Sequence, residues 1–500
     1  MDTATLLQSF RTGVSGRSQL WDAGDWRRRP ERSSWRIDIK DTWRHIDSYT
    51  YNRIVCDSQR LFANLGVVKG AALEKADYAV GEAWNPVFLG RDRKWGERAA
   101  EMLREWHMTC NILGAPFNWQ KSLALASLCV DRDGRSFVRL FRTDSGYPLI
   151  QFIPGHRVKS SQPGEIIRGE FTGNVSTNGV IMTPYGRAIA FEIAPQKPDQ
   201  KPAFVLASRM IQIFDPEWWD SGTGLPSVSH AVLDLHDLKD SQDWEKLALK
   251  ANSAHSLLEY NETGEREDDG NELVESTAAD GSTFHYETLM GGMIRYFRAN
   301  SGSKIETHTY NRPPEEWHRF IDHILRSCFA GMRWPLEIAW NPEKVGGATV
   351  RLVRNKAVRS VKCRQSVLAP PARRIDAFAI AAFIEMGELD ANPEWYRWGH
   401  TLPPQITVDE GKDAQAFERL YNLGAHNLED WLGPQGKDIE EHLRQRARAW
   451  KLKQLIAKEE DVPMEAFERA TNGQAAGGPT QGKDPKEKEE DDDESDDTDE

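Results

Sequence analysis

The side chains best suited to chemistry in this 500-residue chain are charged residues clustered by sign. Lys344, Arg351, Arg354, Lys356, Arg359, Lys362 and Arg364 crowd one loop and the segment that follows it. The loop reads Asn341-Pro342-Glu343-Lys344-Val345-Gly346-Gly347-Ala348-Thr349. Cations at this density hold phosphate oxygens and position a nucleic acid without reading its sequence. The competing reading is a solvated helix face, or ion pairs between subunits. A second cluster, Glu265, Glu267, Asp268, Asp269 and Glu272, carries the opposite sign. It suits a basic partner protein, with charge tuning association rate, or a solvated loop. Catalytic spacings are missing: there is no GxxxxGK[ST], no HExxH and no GxSxG. His318 and His323 stand five apart, the wrong interval for a metal pair on one helix face, and read as surface histidines. Cys328 reads as core.

These clusters need elements to carry them. Residues 228–258 hold no proline or glycine and read as a long helix. A polar insert over 259–312 follows, with two short strands expected at 293–297 and 304–309. Pro313-Pro314 starts a second helix over 315–332. The basic segment from Arg351 reads as a third helix, which Pro370-Pro371 is expected to kink or break. Upstream, Ile46, Tyr49, Ile54, Leu61, Leu65 and Val68 recur at helical spacing, with Asp41 as candidate N-cap. Further helices are expected over 95–110 and 118–130. Ser136 to Arg142 alternates as a half-buried strand would. Strands at 149–153, 179–182, 188–193, 205–207 and 210–214 complete an antiparallel unit behind a helical one, an α+β layout. Short helices over 413–423, 427–432 and 437–458 close the chain.

Composition narrows the class. Apolar residues make 39% of the chain, enough for a large core, and 18 tryptophans supply aromatic area for cores and subunit contacts. The five cysteines are scattered, with no CxxC pair, which argues against a zinc site or a disulfide framework and suits a reducing interior. No signal-peptide pattern and no membrane-length apolar run is present, so a soluble, cytoplasmically made protein is expected. Residues 483–500 hold 12 acidic and 3 basic side chains, which is −9 of the net −13. The remaining body is nearly balanced at −4, unlike a general nucleic-acid binder.

The chain also resembles a known family. Residues 179–193, Gly-Val-Ile-Met-Thr-Pro-Tyr-Gly-Arg-Ala-Ile-Ala-Phe-Glu-Ile, are similar to a hairpin of the lambda-type portal proteins of tailed bacteriophages. Val205 to Phe214 resembles the family's next strand, with Gln212 where histidine is usual. Gly222-Thr223-Gly224-Leu225-Pro226-Ser227 resembles its approach to the first long helix. Phe320 to Pro335 resembles its second helix, and Ile406-Thr407-Val408-Asp409 with Lys412-Asp413-Ala414 a C-terminal signal. The usual Asn-Tyr-Ser-Ser before the long helix is replaced by Gly-Gly-Ala-Thr.

The resemblance implies a ring-forming α+β portal fold. It implies a flexible arm over 1–39, a wing over 40–227, and stem helices over 228–258 and 313–334. A clip over 259–312, a tunnel loop over 335–350, a long kinked wing helix over 351–392, a crown over 393–458 and a disordered acidic tail over 459–500 complete it. It implies no enzymatic activity and no cofactor. About twelve copies would form a channel at one capsid vertex, passing double-stranded DNA during packaging and ejection. Partners would be the terminase large subunit, capsid and scaffold proteins, and head-completion or tail adaptors, without any membrane. Location would be the virion, and the host cytoplasm during assembly. Asn341, Lys344, Gly346, Gly347, Thr349, Arg351, Arg354 and Lys356 would face the channel. Glu265, Glu267, Asp268, Asp269 and Glu272 would meet the motor, while Asp240, Asp243 and Glu245 would keep the stem wall acidic. The alternative is a metal-dependent nuclease of a phage operon, which needs carboxylates converging on one cleft.

Overall fold

The computed structural model describes residues 45–161, 163–195, 200–261, 314–340, 347–404, 406, 410–435 and 439–460, and the backbone of four short strands between 274 and 306. From residue 251 to 306 only backbone elements are described. Asp41 as a helix cap lies outside these residues, as do the expected arm and most of the acidic tail. The stretch of helical spacing from Ile46 to Val68 is two helices, α1 (Ser48–Asn64) and α2 (Gly66–Val80). Asp47 caps α1 by accepting from the Thr50 amide at 2.8 Å. Leu65 separates the helices in an extended conformation, anchored by burial of its side chain. Strand β1 (Pro86–Phe88) leads to α3 (Arg93–Thr109) and α4 (Trp119–Asp133), capped by Asp92 and Asn118. Gly134 ends α4 at φ +80°, and a Cβ there would sit 2.5 Å from the Gly224 carbonyl oxygen.

Strands β2 (Arg135–Arg142) and β3 (Pro148–Pro154) pair next, and β4 (Gly164–Glu165), β5 (Val175–Thr177), β6 (Val180–Met182), β7 (Ala188–Ile193) and β8 (Ala203–Leu206) form an antiparallel five-stranded sheet. β9 (Met210–Phe214) returns to the other side of β2, giving the order β3-β2-β9. Ser136 to Val138 is buried on both faces, not half-buried as the alternation suggests. The three-stranded sheet lies between two cores. Phe137, Ile153 and Met210 face the five-stranded sheet through Val180, Phe191 and Val205. Val138, Leu140, Ile150 and Ile213 face the helices. Arg135 is buried between these layers, and among the described residues no carboxylate hydrogen-bonds to it. Its guanidinium donates to the carbonyls of Asn178 (2.8 Å), Val158 (2.8 Å) and Gly155 (3.2 Å) and lies 4.4 Å above the Tyr51 ring.

Helix α5 (Val232–Ala254) is shorter than expected. Residues 228–231 form turns before it, and β10 (His255–Asn261) takes the segment read as its end. The insert holds more strand than expected: β11 (Val274–Thr277), β12 (Thr283–Tyr286), β13 (Met293–Arg298) and β14 (Lys304–Glu306) follow. β10 is the centre of a β13-β10-β14 sheet, and β11 pairs with β12. Helix α6 (Glu315–Gly331) packs on α5, and α7 (Leu336–Ala339) is a single turn. A Cβ on Gly331 would fall 2.0 Å from the His230 ring, so the end of α6 approaches the chain before α5 closely.

Helix α8 (Gly347–Met386) begins four residues earlier than expected and runs unbroken through Pro370 and Pro371. Each proline removes one helical hydrogen bond, a penalty of about 3 kcal/mol in a helix interior. Burial on both sides offsets it: Ala357, Val361 and Leu368 precede the prolines, Ala372, Ile375 and Ala379 follow, and all are core. β15 (Trp398–His400) pairs antiparallel with β1, and Trp398 enters the main core. The stretch from 393, expected to open a terminal helical unit, is therefore part of the α+β body. Helices α9 (Glu410–Asn422) and α10 (Leu428–Leu432) follow. α11 (Ile439–Glu459) belongs to a separate compact unit beginning at Lys437, and leaves Trp450, Leu452 and Leu455 exposed.

A buried ion triad ties the helical layer together. Arg364 Nη2 of α8 donates to Asp131 Oδ1 of α4 at 2.6 Å, and its Nη1 donates to the Ser127 carbonyl at 3.0 Å. Lys75 of α2 donates to the same carboxylate oxygen at 3.4 Å and to the Met332 carbonyl at 3.3 Å. Burial lowers the Lys75 pKa, and Asp131 opposes that shift. Replacing Asp131→Asn leaves two buried cations uncompensated and is expected to lower unfolding free energy by about 3–5 kcal/mol. Urea titration checks this; a loss below about 1 kcal/mol, the scale of a surface pair, would remove the triad from its central role.

Candidate nucleic-acid interface

The basic cluster divides when it folds. Asn341, Lys344 and Gly346 lie outside the described residues. Gly347 opens α8, and Thr349 and Arg351 stand exposed in its first turns. Arg354 turns aside: its Nε donates to the Ile406 carbonyl at 2.8 Å and its Nη1 lies 3.1 Å from Asp413 of α9. Arg364 is the buried member of the ion triad and is not available to DNA. The signal was legible, because Arg364 falls on the helical repeat Ala357–Val361–Leu368–Ala372 that forms the core stripe of α8. Lys356, Arg359 and Lys362 are exposed, and among the described residues no carboxylate lies within ion-pair distance of them. They line two different clefts. Lys356 and Arg359 face α6 and α7, whereas Lys362 faces Tyr78, Trp84 and the Leu402-Pro403-Pro404 strap.

Glu265, Glu267, Asp268, Asp269 and Glu272 lie outside the described residues. On α5, Asp240 is exposed, and Asp243 is flanked by Lys239 at 3.0 Å and Lys246 at 3.3 Å. Hydrogen bonding from Lys239 leads the causes that lower the Asp243 pKa. His318 and His323 are exposed, and Cys328 is fully buried.

One arrangement with catalytic residue types was not foreseen, because its members come from distant segments. Asp376 of α8 accepts from His107 Nε2 of α3 at 2.9 Å and His400 Nε2 of β15 at 2.7 Å. The His107 ring stacks on Trp119 at 4.8 Å, and Trp84 packs against His400 at 5.4 Å. Among the described residues no activated nucleophile accompanies them. Cys110 donates to the His107 carbonyl at 3.6 Å, and burial, helped by Asp376, pushes its thiol up to about 12. The cluster braces α3, α8 and β15. Among the described residues no group of His, Cys, Asp and Glu is placed to hold a metal ion, and no helix is long and apolar enough to cross a membrane.

The described residues form an α+β body with charged helical surfaces, and their His–Asp–His cluster is almost closed to solvent. The sequence pattern described as phage portal protein, lambda family, matches residues 28–365, and the chain belongs to that family. The function assigned with it is that of a phage portal protein, and the nuclease alternative finds no support. No curated protein matches the sequence. Among solved structures the chain is similar to one from the virion of a native gene transfer agent particle, at 10% identity and TM-score 0.42, covering 75% of this chain and 90% of that one. It is also similar to one from the neck of the native particle computed with C12 symmetry, at 11% identity and TM-score 0.44, covering 74% and 89%.

The His–Asp–His cluster gives a pH prediction. Burial raises the Asp376 pKa, but the two histidines outweigh it and bring it from 3.8 to about 2. A folded pKa below the unfolded value stabilises the fold above about pH 4, and that contribution disappears as pH falls through about 2. The difference corresponds to about 2 kcal/mol. The stability gap between wild type and Asp376→Asn should therefore shrink between pH 4 and pH 2 in urea titrations. A gap constant over that range would show that the carboxylate charge contributes nothing.

Proposed function

We propose that about twelve copies of this chain form a ring at one capsid vertex and that double-stranded DNA passes through its centre during packaging and ejection. Family membership over residues 28–365 supports the portal role. The observation that carries the DNA path is the exposed start of α8. Thr349 and Arg351 stand there immediately after the loop Asn341–Gly346, free of the contacts that occupy Arg354 and Arg364. The loop and this first turn are the channel-facing tunnel element, and Asn341, Lys344, Gly346, Gly347, Thr349 and Arg351 are its DNA-facing residues. Arg354 holds the loop's exit against α9, and Lys356 lies beside it, turned toward the α6–α7 cleft.

In this reading residues 40–227 form the wing, α5 and α6 the stem, and the insert over 259–312 the clip. The acidic clip residues Glu265, Glu267, Asp268, Asp269 and Glu272 meet the terminase large subunit. Capsid, scaffold and head-completion or tail adaptor proteins meet the ring's outer surfaces, and assembly takes place in the host cytoplasm.

Substituting alanine at both Gly346 and Gly347 narrows the backbone freedom of the loop where it enters α8. Packaged DNA per particle should fall severalfold while ring formation is unchanged. Normal head filling by this variant would sink the tunnel assignment.

A further inference from the structure

The ring reading requires two surfaces on each copy that fit one another, and the structure presents such a pair. The first is the outer face of α5. Asp237, Asp240, Trp244 and Leu247 recur at helical intervals on the side opposite the buried Leu235 and Leu238. Both aspartates are exposed, Trp244 is 77% exposed and Leu247 is 68% exposed. A tryptophan and a leucine held in water on one helix face, next to carboxylates, form an acidic ridge with an apolar anchor.

The second surface is a cleft of 580 Å³ between α8 and the α6–α7 turn. Phe329, Trp334 and Leu336, each at most 5% exposed, form its apolar floor. From α8, Lys356, Arg359 and Ser360 project into it on one face, and the exposed Leu352 extends that face by a turn. Lys356 and Arg359 have no carboxylate partner among the described residues, whereas Arg326 is already engaged by Asp322 at 2.7 Å and Glu337 at 3.1 Å. Ser360 is 5% exposed, and among the described residues its hydroxyl has no hydrogen-bond partner. A buried hydroxyl left unpaired is destabilising unless something arrives to pair with it.

We propose that the acidic ridge of α5 docks into the basic cleft of a second copy, with Trp244 as the apolar anchor among Phe329, Trp334 and Leu336. The occupant is a second copy because ridge and cleft match in charge and in apolar content. The charged rims of both, Asp237 and Asp240 on the ridge and Lys356 and Arg359 on the cleft, are exposed on one chain, so within that chain they do not meet. Aromatic anchors in apolar pockets, rimmed by charge, dominate interface energies. Ridge and cleft are different surfaces, so the contact is head-to-tail. Such a contact propagates until it closes into a ring or continues as a filament. This assignment rests on the ring reading and names the surfaces that build it. It gives Lys356 and Arg359 a subunit partner in place of DNA.

The test uses full-length chains with reversed charge and native mass spectrometry. One variant carries Asp237→Lys and Asp240→Lys; the other carries Lys356→Glu and Arg359→Glu. Each alone sets like charges against like and is expected to lose the rings that wild type forms. The thermal melt of each subunit should be retained, since all four residues are exposed. Mixed in equal amounts, the two variants present lysine ridges to glutamate clefts and aspartate ridges to native pockets, and rings of alternating subunits should return. Rings formed by either variant alone would overturn this interface while leaving the ring reading intact. Failure of the mixture to assemble, with both variants folded, would do the same. A wild-type chain that stays monomeric would overturn the ring reading, and this interface with it.

Discussion

The contact of Asp131 with Arg364 and Lys75 is the constraint on which the remaining architecture depends. Three helices far apart in sequence supply its members, and the carbonyl of Met332 adds the end of α6. A carboxylate shared by two cations is stable in a dry interior only when all three are held in place. Fixing Arg364 therefore fixes the rotation of α8 about its own axis. That rotation decides which residues of the helix face the core and which face outward. Arg351 is exposed, Arg354 reaches α9, and Lys356 and Arg359 line a cleft because Arg364 points inward. The same rotation delivers Asp376 to His107 and His400 three turns further on.

That dependence explains what was legible in the sequence and what was not. Local periodicity located nearly every helix of the body and most strands of the three- and five-stranded sheets, though not β4 and β5, because burial in this fold largely follows simple helical and alternating stripes. The register of α8 was harder. Seven cations close together read as one surface, yet the six that are described are divided among the core, a bond to α9, two clefts and an exposed first turn. Counting charge ignores helical phase; the apolar stripe through Ala357, Val361 and Leu368 contains it. The unbroken passage through Pro370 and Pro371 is a tertiary effect. No local rule counts the buried side chains before and after the prolines that hold the helix straight enough to continue.

Other features were out of reach because they join distant segments. His107, Asp376 and His400 lie far apart in the chain, and nothing near any of them signals the other two. The pairing of β15 with β1 is of the same kind and draws a stretch read as the start of a separate helical unit into the main body. The resemblance to portal proteins carried the functional reading further than composition did. A net charge near −4 outside the tail gives no hint of a DNA channel. A channel for a polyanion needs few cations at the moving surface, since a densely basic wall would bind the backbone too tightly for rapid passage.

This gives a physical reason for the way the cations of α8 are distributed. Cations on the chain that are bonded, buried or lodged in clefts cannot bind passing phosphate. Those left at the start of α8 are few, and repeated around a ring they would present a thin belt of positive charge. The acidic face of α5 works in the same direction if it packs against a neighbouring copy, because it neutralises Lys356 and Arg359 where they would otherwise face open solvent. Charge placement then serves two needs together. In such a ring it would join unlike surfaces of adjacent subunits, and it would leave the path between them only weakly attractive to DNA.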